Sequence, residues 1–437
     1  METAGADTLV VYTPRITTRV SYIFQTLLPG ALLTDSKEVL LAKGNTRINY
    51  SDEIIDGCFR VVPAGLLTED GIREQSLTCS NWAGLRVFYQ TAGEIPFDIF
   101  SASFYLLSRY EEYLPHELDQ YGRYSHTNSI AYKEGFLKQP LVNLWLKKLL
   151  HELQIFTHDS RLTIHDSRFH FIPTYDIDEA FCYLHKPVWK NVFGFYRDLL
   201  QGKFEQVMER AGVYSGKEKD PYDTFDWIEE QHRRFGLQPV YFLLTIIKRG
   251  KYDKNLPASA KPLQKLYRDL SLKHTVGLHP SWQSGTDKGL LERERDALQK
   301  IIQQPVQISR NHYLRCTIPD TYRRLLAAGF TDDYSMAYGN VNGFRASYCE
   351  PFYWFDLEAG TTTRLSVHSF CFMEASSFFN QGYGVQEAAE EIQYYHDTVK
   401  AAGGELITLF HNHFLTEQPE WLGWREMYRE FLEKNFG

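Results

Sequence analysis

The sequence predicts an α/β protein in which a (β/α) barrel follows a smaller α/β domain. The chain has 437 residues, more than one domain usually contains. Short apolar runs alternate with helical patterns over about 270 residues of its C-terminal side, close to the usual size of such a barrel. Hydrophobic residues make up 43% of the chain and charged residues 23%, which indicates a globular protein with a large core. We therefore assign residues 1–165 to the first domain and residues 166–437 to the barrel.

The first domain is predicted to mix strands and helices. Strands are predicted at Leu9–Tyr12, Thr46–Tyr50 and Phe59–Val62, and helices at Arg19–Leu28, from Ile95 to Glu112 and from Pro140 to Leu153. Asp98 is placed to cap the second helix. That helix ends on the polar residues Ser108–Glu112, for which a solvated face or a salt-bridged face against the other domain is favoured over a binding site.

The barrel is predicted from six strands that alternate with helices. The strands are Phe169–Thr174, Val240–Leu244, Val276–Leu278, Val306–Ile308, Leu365–His368 and Leu406–Phe410. The helices are Phe225–Phe235, Lys261–Leu272, Leu290–Gln303, Pro319–Ala328 and Val385–Ala402. Residues 183–222 form a basic, amphipathic stretch that we interpret as a helical insertion after the first strand.

Composition excludes several classes of function. The net charge of −8 argues against a nucleic-acid-binding surface. The six cysteines are scattered without a C-x-x-C pair, so neither a zinc–cysteine site nor a disulfide framework is indicated. The sequence has no secretory signal and no apolar run long enough to span a membrane, and we expect a cytoplasmic protein. Nothing in the sequence indicates an oligomeric state.

Two carboxylates follow the first predicted barrel strand. Residues two apart on an extended backbone share a face, so Asp176 and Asp178 converge on one point. Two such close carboxylates resist ionising together unless a cation lies between them. The pair alone is compatible with a metal ligand beside a general base, with a proton-sharing dyad, or with an Asx turn that ends the strand.

Further titratable residues follow three other predicted strands. They are His279 after Val276–Leu278, Arg310 and His312 after Val306–Ile308, and His411 and His413 after Leu406–Phe410. The active site of a parallel barrel lies at the carboxyl ends of its strands. Four strand ends that each carry Asp or His favour one common site over four unrelated structural residues.

This set of residues can bind a divalent metal. Asp178, His279 and His312 supply one carboxylate and two imidazoles, a ligand set that suits zinc, with nickel, cobalt or iron as alternatives. Asp176 is then placed as the general base for an attacking water, and His411 as the acid for the leaving group. Such a combination hydrolyses an amide or an ester.

Four motifs resemble those of the polysaccharide deacetylase family, the carbohydrate esterase family 4 type. Thr174-Tyr175-Asp176-Ile177-Asp178 resembles T-F-D-D, Gly277–Gln283 resembles G-x-H-[ST]-x-x-H, Ser309–Tyr313 lies where R-x-P-Y-G would fall, and Leu406–His411 resembles the closing L-x-H. The resemblance covers residues 165–430. The first domain resembles more loosely, around Phe97–Tyr113, the module that precedes divergent members of the family.

The resemblance implies a distorted (β/α) barrel of the polysaccharide deacetylase type, a divalent metal and removal of an N- or O-acetyl group from a sugar. It implies Asp176 as the base, Asp178 and His279 as ligands, Arg310 as the residue that orients the base, and His411 as the acid.

One position departs from the family pattern. Gln283 stands where the second metal-binding histidine would be, and His274 lies on the wrong side of the strand to replace it. We therefore predict His312 as the third ligand. Contacts with the sugar are predicted for Tyr175, Trp282, Tyr313, Arg345 and His413. For Arg345, a glycan carbonyl or carboxylate is one partner, and a satisfied structural arginine is an equal alternative.

The sequence therefore predicts a metal-dependent hydrolase that deacetylates a sugar of a polysaccharide or of its precursor. A cytoplasmic location would favour lipid-linked sugars, nucleotide-linked sugars or oligosaccharides. The alternative is a catalytically inactive, deacetylase-like carbohydrate-binding or scaffold protein, which Gln283 favours. A metal hydrolase for a different amide is a third possibility, because one fold can serve unrelated substrates.

Overall fold

The computed structural model describes residues 9–44, 46–159, 168–287 and 289–437. We call residues 9–159 the N-terminal part and residues 168–437 the C-terminal part. The predicted domain boundary between residues 165 and 166 lies outside the described residues.

The N-terminal part is built on a parallel sheet with the strand order β2-β1-β3-β4. Aromatic rings from α1 and α3 pack over this sheet, and Asp98 caps α3 by accepting from two backbone N–H groups, as predicted. The elements are β1 (Leu9–Tyr12), α1 (Thr18–Leu27), β2 (Leu32–Thr34), α2 (Lys37–Ala42), β3 (Thr46–Asn49), β4 (Phe59–Arg60), β5 (Ser80–Trp82), β6 (Leu85–Val87), α3 (Ile99–Leu107), α4 (Ile130–Lys133) and α5 (Leu141–Thr157).

The C-terminal part is built on a larger sheet with alternating helices. Its elements are β7 (Phe169–Ile177), α6 (Val188–Leu200), α7 (Phe204–Tyr214), α8 (Phe225–Phe235), β8 (Val240–Leu244), α9 (Lys261–Ser271), β9 (Thr275–His279), α10 (Leu290–Ile302), β10 (Ile308–Ser309), α11 (Asp320–Ala327), β11 (Asp332–Met336), β12 (Phe352–Asp356), β13 (Thr361–Ser369), β14 (Phe372–Met373), α12 (Val385–Ala402), β15 (Gly404–His411) and α13 (Trp424–Phe436). Helices α6 and α7 occupy the segment predicted as an insertion.

This larger sheet has nine strands in the order β12-β13-β11-β10-β9-β8-β7-β15-β14. All neighbouring strands are parallel except the pair β12 and β13. The alternating α/β character is as predicted, but the closed ring of a barrel is not formed, because the end strands β12 and β14 do not pair with each other in the described part of the chain.

Strand β10 is displaced from its predicted position, and strands β11, β12 and β14 of the larger sheet were not predicted. The strand expected at Val306–Ile308 is Ile308–Ser309, displaced toward the site. For β11 the reason is that Asp332–Met336 lacks an apolar alternation. Its buried polar side chains are satisfied by hydrogen bonds. Asp333 accepts from the hydroxyls of Ser309 and Ser335 at 3.1 and 2.9 Å.

A buried ion pair joins the two parts of the chain. Arg345 donates to both carboxylate oxygens of Glu112, at 2.9 and 2.5 Å, and Arg109 donates to the same carboxylate at 2.8 Å. All three side chains are almost fully buried. Ser108–Glu112 is thus the salt-bridged face between the parts, and the prediction that Arg345 contacts the substrate is wrong: its guanidinium is already used.

Helix α6 presents an apolar face to solvent and a polar face to the protein. Its buried residues are Asn191, Gly194 and Asp198.

In the described part of the chain, no helix combines the length and the apolar character that crossing a membrane requires.

Candidate active site

The predicted metal ligands meet at the carboxyl ends of neighbouring strands. Asp178 follows β7, His279 ends β9 and His312 lies just beyond β10. One Asp178 oxygen lies 3.1 Å from His279 Nε2 and the other lies 3.2 Å from His312 Nε2. Each residue offers one potential ligand atom, and these three atoms lie within 4.8 Å of one another. Both histidines are buried while Asp178 is partly exposed, so the centre is reachable from one side.

The second ring nitrogen of each histidine is already occupied. His279 Nδ1 lies 2.6 Å from the backbone oxygen of Arg310, and His312 Nδ1 lies 3.0 Å from Asp253 Oδ1. Both oxygens are acceptors, which assigns the proton to Nδ1 in each ring and leaves the Nε2 lone pair facing Asp178. This is the arrangement that metal-binding histidines adopt. Asp178 Oδ1 is also buried without a hydrogen-bond donor among the described residues. The residues therefore fit a divalent cation.

Asp176 lies beside this centre and is held by an arginine. Arg310 Nη1 donates to Asp176 Oδ1 at 2.9 Å and to the Thr174 hydroxyl at 2.7 Å. The other oxygen, Asp176 Oδ2, points to the centre and lies 3.5 Å from His279 Nε2. Arg310 is fully buried and stacks on the ring of Phe242. Its position next to Asp176 agrees with the orienting role that the sequence resemblance implies.

His411 lies on the other side of Asp178. Its Nε2 is 3.5 Å from Asp178 Oδ2, and its Nδ1 is 2.6 Å from Glu374 Oε1. Burial disfavours the charged ring, but the carboxylates of Glu374 and Asp178 outweigh burial and raise the pKa of His411 well above its usual range. The protonated form of His411 is thus favoured, and its Nε2 faces the centre.

Three of the predicted substrate contacts lie close to the centre. The ring of Tyr313 is 4.8 Å from that of His312, and Trp282 lies 5.5 Å from Tyr313. The ring of His413 is 5.4 Å from that of His411. Burial and the neighbouring His411 lower the pKa of His413 to about 3, so it is a neutral imidazole.

Tyr175 is the second predicted contact that the structure does not support. Alternate residues of a strand point to opposite faces, and Tyr175 points away from Asp176. Its hydroxyl lies 2.9 Å from His232 Nε2 and 2.7 Å from the Tyr428 hydroxyl, in a fully buried network behind the sheet. His274 is also remote from the centre, and its Nε2 pairs with Glu229 Oε2 at 2.6 Å.

Two residues of the site were not found from the sequence. Asp253 lies in the loop after β8, and Glu374 directly follows the two-residue strand β14. Both are buried carboxylates, and each holds the Nδ1 atom of a site histidine. Position at a strand end could have suggested Glu374 if β14 had been recognised. No sequence signal distinguishes Asp253 from an ordinary loop residue.

One family model matches the N-terminal part of the chain. Residues 9–157 match a family of unknown function (DUF7033). No curated protein matches the chain.

Three solved structures resemble the chain. The polysaccharide deacetylase from Bacillus cereus is 11% identical, with a TM-score of 0.30, and the match covers 61% of this chain and 88% of that chain. A protein from Mycobacterium smegmatis provisionally named a polysaccharide deacetylase is 13% identical, with a TM-score of 0.38 and coverage of 62% and 85%. One from Pseudomonas aeruginosa PAO1, also named provisionally, is 12% identical, with a TM-score of 0.35 and coverage of 61% and 84%. Values this low leave the function to be inferred from the geometry of the site.

Proposed function

We propose that the protein is a metal-dependent hydrolase that removes an acetyl group from an N- or O-acetylated sugar. The observation that carries this proposal is the convergence of Asp178, His279 and His312 on one point with their Nε2 and carboxylate atoms turned inward. The motif resemblance around Asp176 and His411 points to acetylated sugar as the substrate class.

The ligand set suits a borderline divalent cation. Imidazole and carboxylate together favour zinc, nickel, cobalt or iron over magnesium or calcium. When bound, such an ion supplies Lewis-acid polarisation of the acyl carbonyl and of the attacking water. Asp178, His279 and His312 would hold it.

Asp176 supplies the base. Its Oδ2 faces the centre, within reach of a water placed between the ligands and the substrate carbonyl, and takes the proton of that water as it attacks. Arg310 contributes by fixing Oδ1, so that only Oδ2 is free to accept. The buried position of this ion pair keeps the carboxylate in one orientation.

His411 supplies the acid. Once the tetrahedral carbon has formed, the leaving nitrogen or oxygen of the sugar requires a proton, which His411 Nε2 donates. Glu374 keeps the ring charged and correctly turned through its contact with Nδ1. A protein that only bound carbohydrate would need neither the Arg310–Asp176 pair nor the Glu374–His411 pair, which makes the inactive scaffold the weaker candidate.

Metal content is the first test. Wild-type protein purified without chelator is expected to carry close to one equivalent of metal, and His312→Ala to lose most of it. His274→Ala is the matched control, because this histidine is remote from the centre. Metal-loaded wild type should then release acetate from acetylated oligosaccharides, and Asp176→Asn should not. A wild-type protein that takes up neither zinc nor cobalt would refute the hydrolase and favour the binding protein.

A further inference from the structure

Four aromatic side chains form a cluster beside the candidate metal centre. We call Tyr121, Tyr252, Trp282 and Tyr313 the aromatic tetrad. Each ring contacts the other three, with centroid distances from 4.3 Å for Tyr252 and Trp282 to 6.1 Å for Tyr121 and Tyr252. All four side chains are partly exposed. The tetrad is therefore an open aromatic surface and not a piece of the core.

The tetrad is linked to the metal ligands through one carboxylate. The backbone N–H of Trp282 donates to Asp253 Oδ1 at 2.9 Å, and the same oxygen lies 3.0 Å from His312 Nδ1. Tyr313 directly follows His312 and stands in the left-handed region with φ 58°, an unfavourable conformation for a tyrosine. The chain is thus constrained to present this ring next to the centre.

Tyr121 is the member of the tetrad that comes from the N-terminal part. Asp119 Oδ1 accepts from the N–H groups of Tyr121 and Arg123 at 2.8 and 3.0 Å, which closes a tight turn. Arg123 lies over the Tyr121 ring at 4.9 Å and donates to the backbone oxygen of Tyr313 at 2.7 Å. Residue 339 is glycine, and a side chain there would displace the Arg123 guanidinium from its present position.

The chemistry of the tetrad suits a sugar ring. Aromatic faces pack against the apolar face of a pyranose, and tyrosine hydroxyls can bond to its hydroxyls. No hydroxyl of Tyr121, Tyr252 or Tyr313 is hydrogen-bonded to another residue in the described ranges. We infer that the aromatic tetrad is the subsite for the sugar unit next to the acetylated one, so that the N-terminal part, through Tyr121, completes the substrate site. This inference rests on the proposed function.

Equilibrium binding tests the subsite separately from catalysis. The probe is the trimer of β-1,4-linked N-acetylglucosamine, titrated calorimetrically into Asp176→Asn protein so that no turnover occurs. Adding Tyr121→Ala is expected to weaken binding about tenfold, as for a central aromatic contact. Tyr121→Phe should retain most of the affinity, and Tyr132→Ala, an exposed tyrosine of the same part, should retain all of it.

The outcomes separate the subsite from the reaction. Loss of affinity on Tyr121→Ala, with unchanged unfolding midpoint, supports the subsite whether or not wild type releases acetate. Equal affinity of Tyr121→Ala and its parent overturns it even if acetate is released normally. Failure of the parent to bind the trimer also overturns it. The proposed function is judged independently, by metal content and acetate release.

A second inference comes from the outward face of helices α6 and α7. Six large side chains project from this face: Trp189, Phe193, Tyr196, Leu200, Phe204 and Met208. Phe193 is 68% and Leu200 is 87% exposed. A contiguous apolar surface of this kind marks an interaction site in a folded protein.

The inner face of the same hairpin is polar, so the pattern is inverted. Arg210 of α7 donates to Asp198 at 2.6 Å and to Asn191 at 3.1 Å, and its guanidinium packs against Gly194. Helices of a globular protein normally turn their apolar side inward. The Arg210 contacts hold the two helices together, and the six large side chains named above point outward, while Val207 and Val213 of α7 are buried.

The charges around this face indicate its partner. Lys190, Arg197 and Lys203 lie beside this face, where Arg197 pairs with the buried Asp198 at 2.9 Å and Glu205 is the exposed carboxylate of the two helices. The chain as a whole has a net charge of −8. Trp, Phe and Leu beside Lys and Arg form the composition of a helix that lies in the membrane interface. We further infer that the α6–α7 hairpin binds the surface of an anionic lipid bilayer. This inference does not depend on the proposed reaction.

Co-sedimentation with vesicles tests the hairpin. Wild type is expected to pellet with phosphatidylcholine vesicles that contain phosphatidylglycerol, less so at high salt, and Leu200→Ser with Phe193→Ser should reduce the bound fraction at least about tenfold. Leu272→Ser, an isolated exposed leucine elsewhere, is the control. A wild type that stays in the supernatant overturns the inference, and a Leu200-dependent dimer in light scattering would then assign the face to a second copy of the chain.

Discussion

Asp253 and His312 form a buried pair in which the carboxylate oxygen Oδ1 lies 3.0 Å from ring nitrogen Nδ1. The contact turns His312 Nε2 toward Asp178, which supports the proposal that His312 replaces the histidine absent at position 283. The proposed ligand outside the usual motif therefore has its own carboxylate to orient it.

Replacing Asp253 should weaken metal binding without removing a ligand. Asp253→Asn keeps the size of the side chain but no longer fixes the Nδ1 tautomer of His312, and loss of such a partner typically costs about 10- to 100-fold in metal affinity. Competition with a chromogenic chelator measures this. Asp269→Asn, at an exposed carboxylate paired with Lys265, should bind metal like wild type, and equal affinity of both variants would contradict the assigned role of Asp253.

The part of the site that could be predicted is the part carried by strand order. Parallel strands bring their carboxyl ends to one edge of the sheet. The proximity of Asp178, His279 and His312 could therefore be predicted from the sequence. Asp253 could not, because it reaches the centre from a loop nine residues beyond β8. Glu374 could not either, because a two-residue strand leaves no periodic pattern to recognise.

The predictions for Arg345, Tyr175 and the closed barrel were wrong for equally specific reasons. Arg345 finds its partner Glu112 at a separation of 233 residues, which no local pattern reveals. For Tyr175, strand alternation alone argues against contact with the substrate, because adjacent residues point to opposite faces and its neighbour Asp176 faces the site. Closure of a barrel depends on the stagger of all strands together, which the sequence of single strands does not specify.

Glu374 should control both the rate and its pH dependence. Glu374→Gln leaves a hydrogen-bonding group beside His411 but removes the negative charge that raises the pKa of His411. The acid is then protonated over a narrower range, so the alkaline limb of kcat/KM is expected to move to lower pH. We also expect kcat to fall about 100-fold, within the range typical of a general acid.

A pH–rate profile of wild type and Glu374→Gln at saturating metal checks this. Glu358→Gln, an exposed glutamate paired with Arg323, provides the matched substitution and should leave the profile unchanged. An alkaline limb at the same pH in Glu374→Gln and wild type would show that His411 is not the acid.

Arg345 should matter for stability and not for substrate binding. Arg345→Met leaves the Glu112 carboxylate buried with Arg109 as its remaining partner, and breaking such a pair costs about 3 kcal/mol of unfolding free energy. Arg323→Met removes a more exposed ion pair with Asp356 and should cost about 1 kcal/mol or less. Urea unfolding measures both. A selective rise in KM for Arg345→Met at unchanged stability would restore the substrate-contact interpretation.

The network behind the sheet should make the protein sensitive to acid. Burial, with a smaller contribution from His274, lowers the pKa of His232 from 6.5 to about 3 in the folded protein. As the pH falls, the unfolded chain therefore binds this proton before the folded protein does. The free energy of unfolding is unaffected by the titration of His232 above pH 6.5 and decreases progressively below it. At pH 5 the loss from this residue amounts to about 2 kcal/mol.

His232→Gln isolates this effect, because glutamine can still bond to the Tyr175 hydroxyl but does not titrate. The variant is expected to be less stable than wild type at pH 7.5, through imperfect packing, yet to lose about 2 kcal/mol less between pH 7.5 and pH 5. Urea unfolding at the two pH values measures the difference. His151→Gln, on the exposed side of α5, should show the wild-type loss. If His232→Gln shows the same loss as wild type, the acid sensitivity arises from other groups, and the buried His232 is not kept neutral by its surroundings.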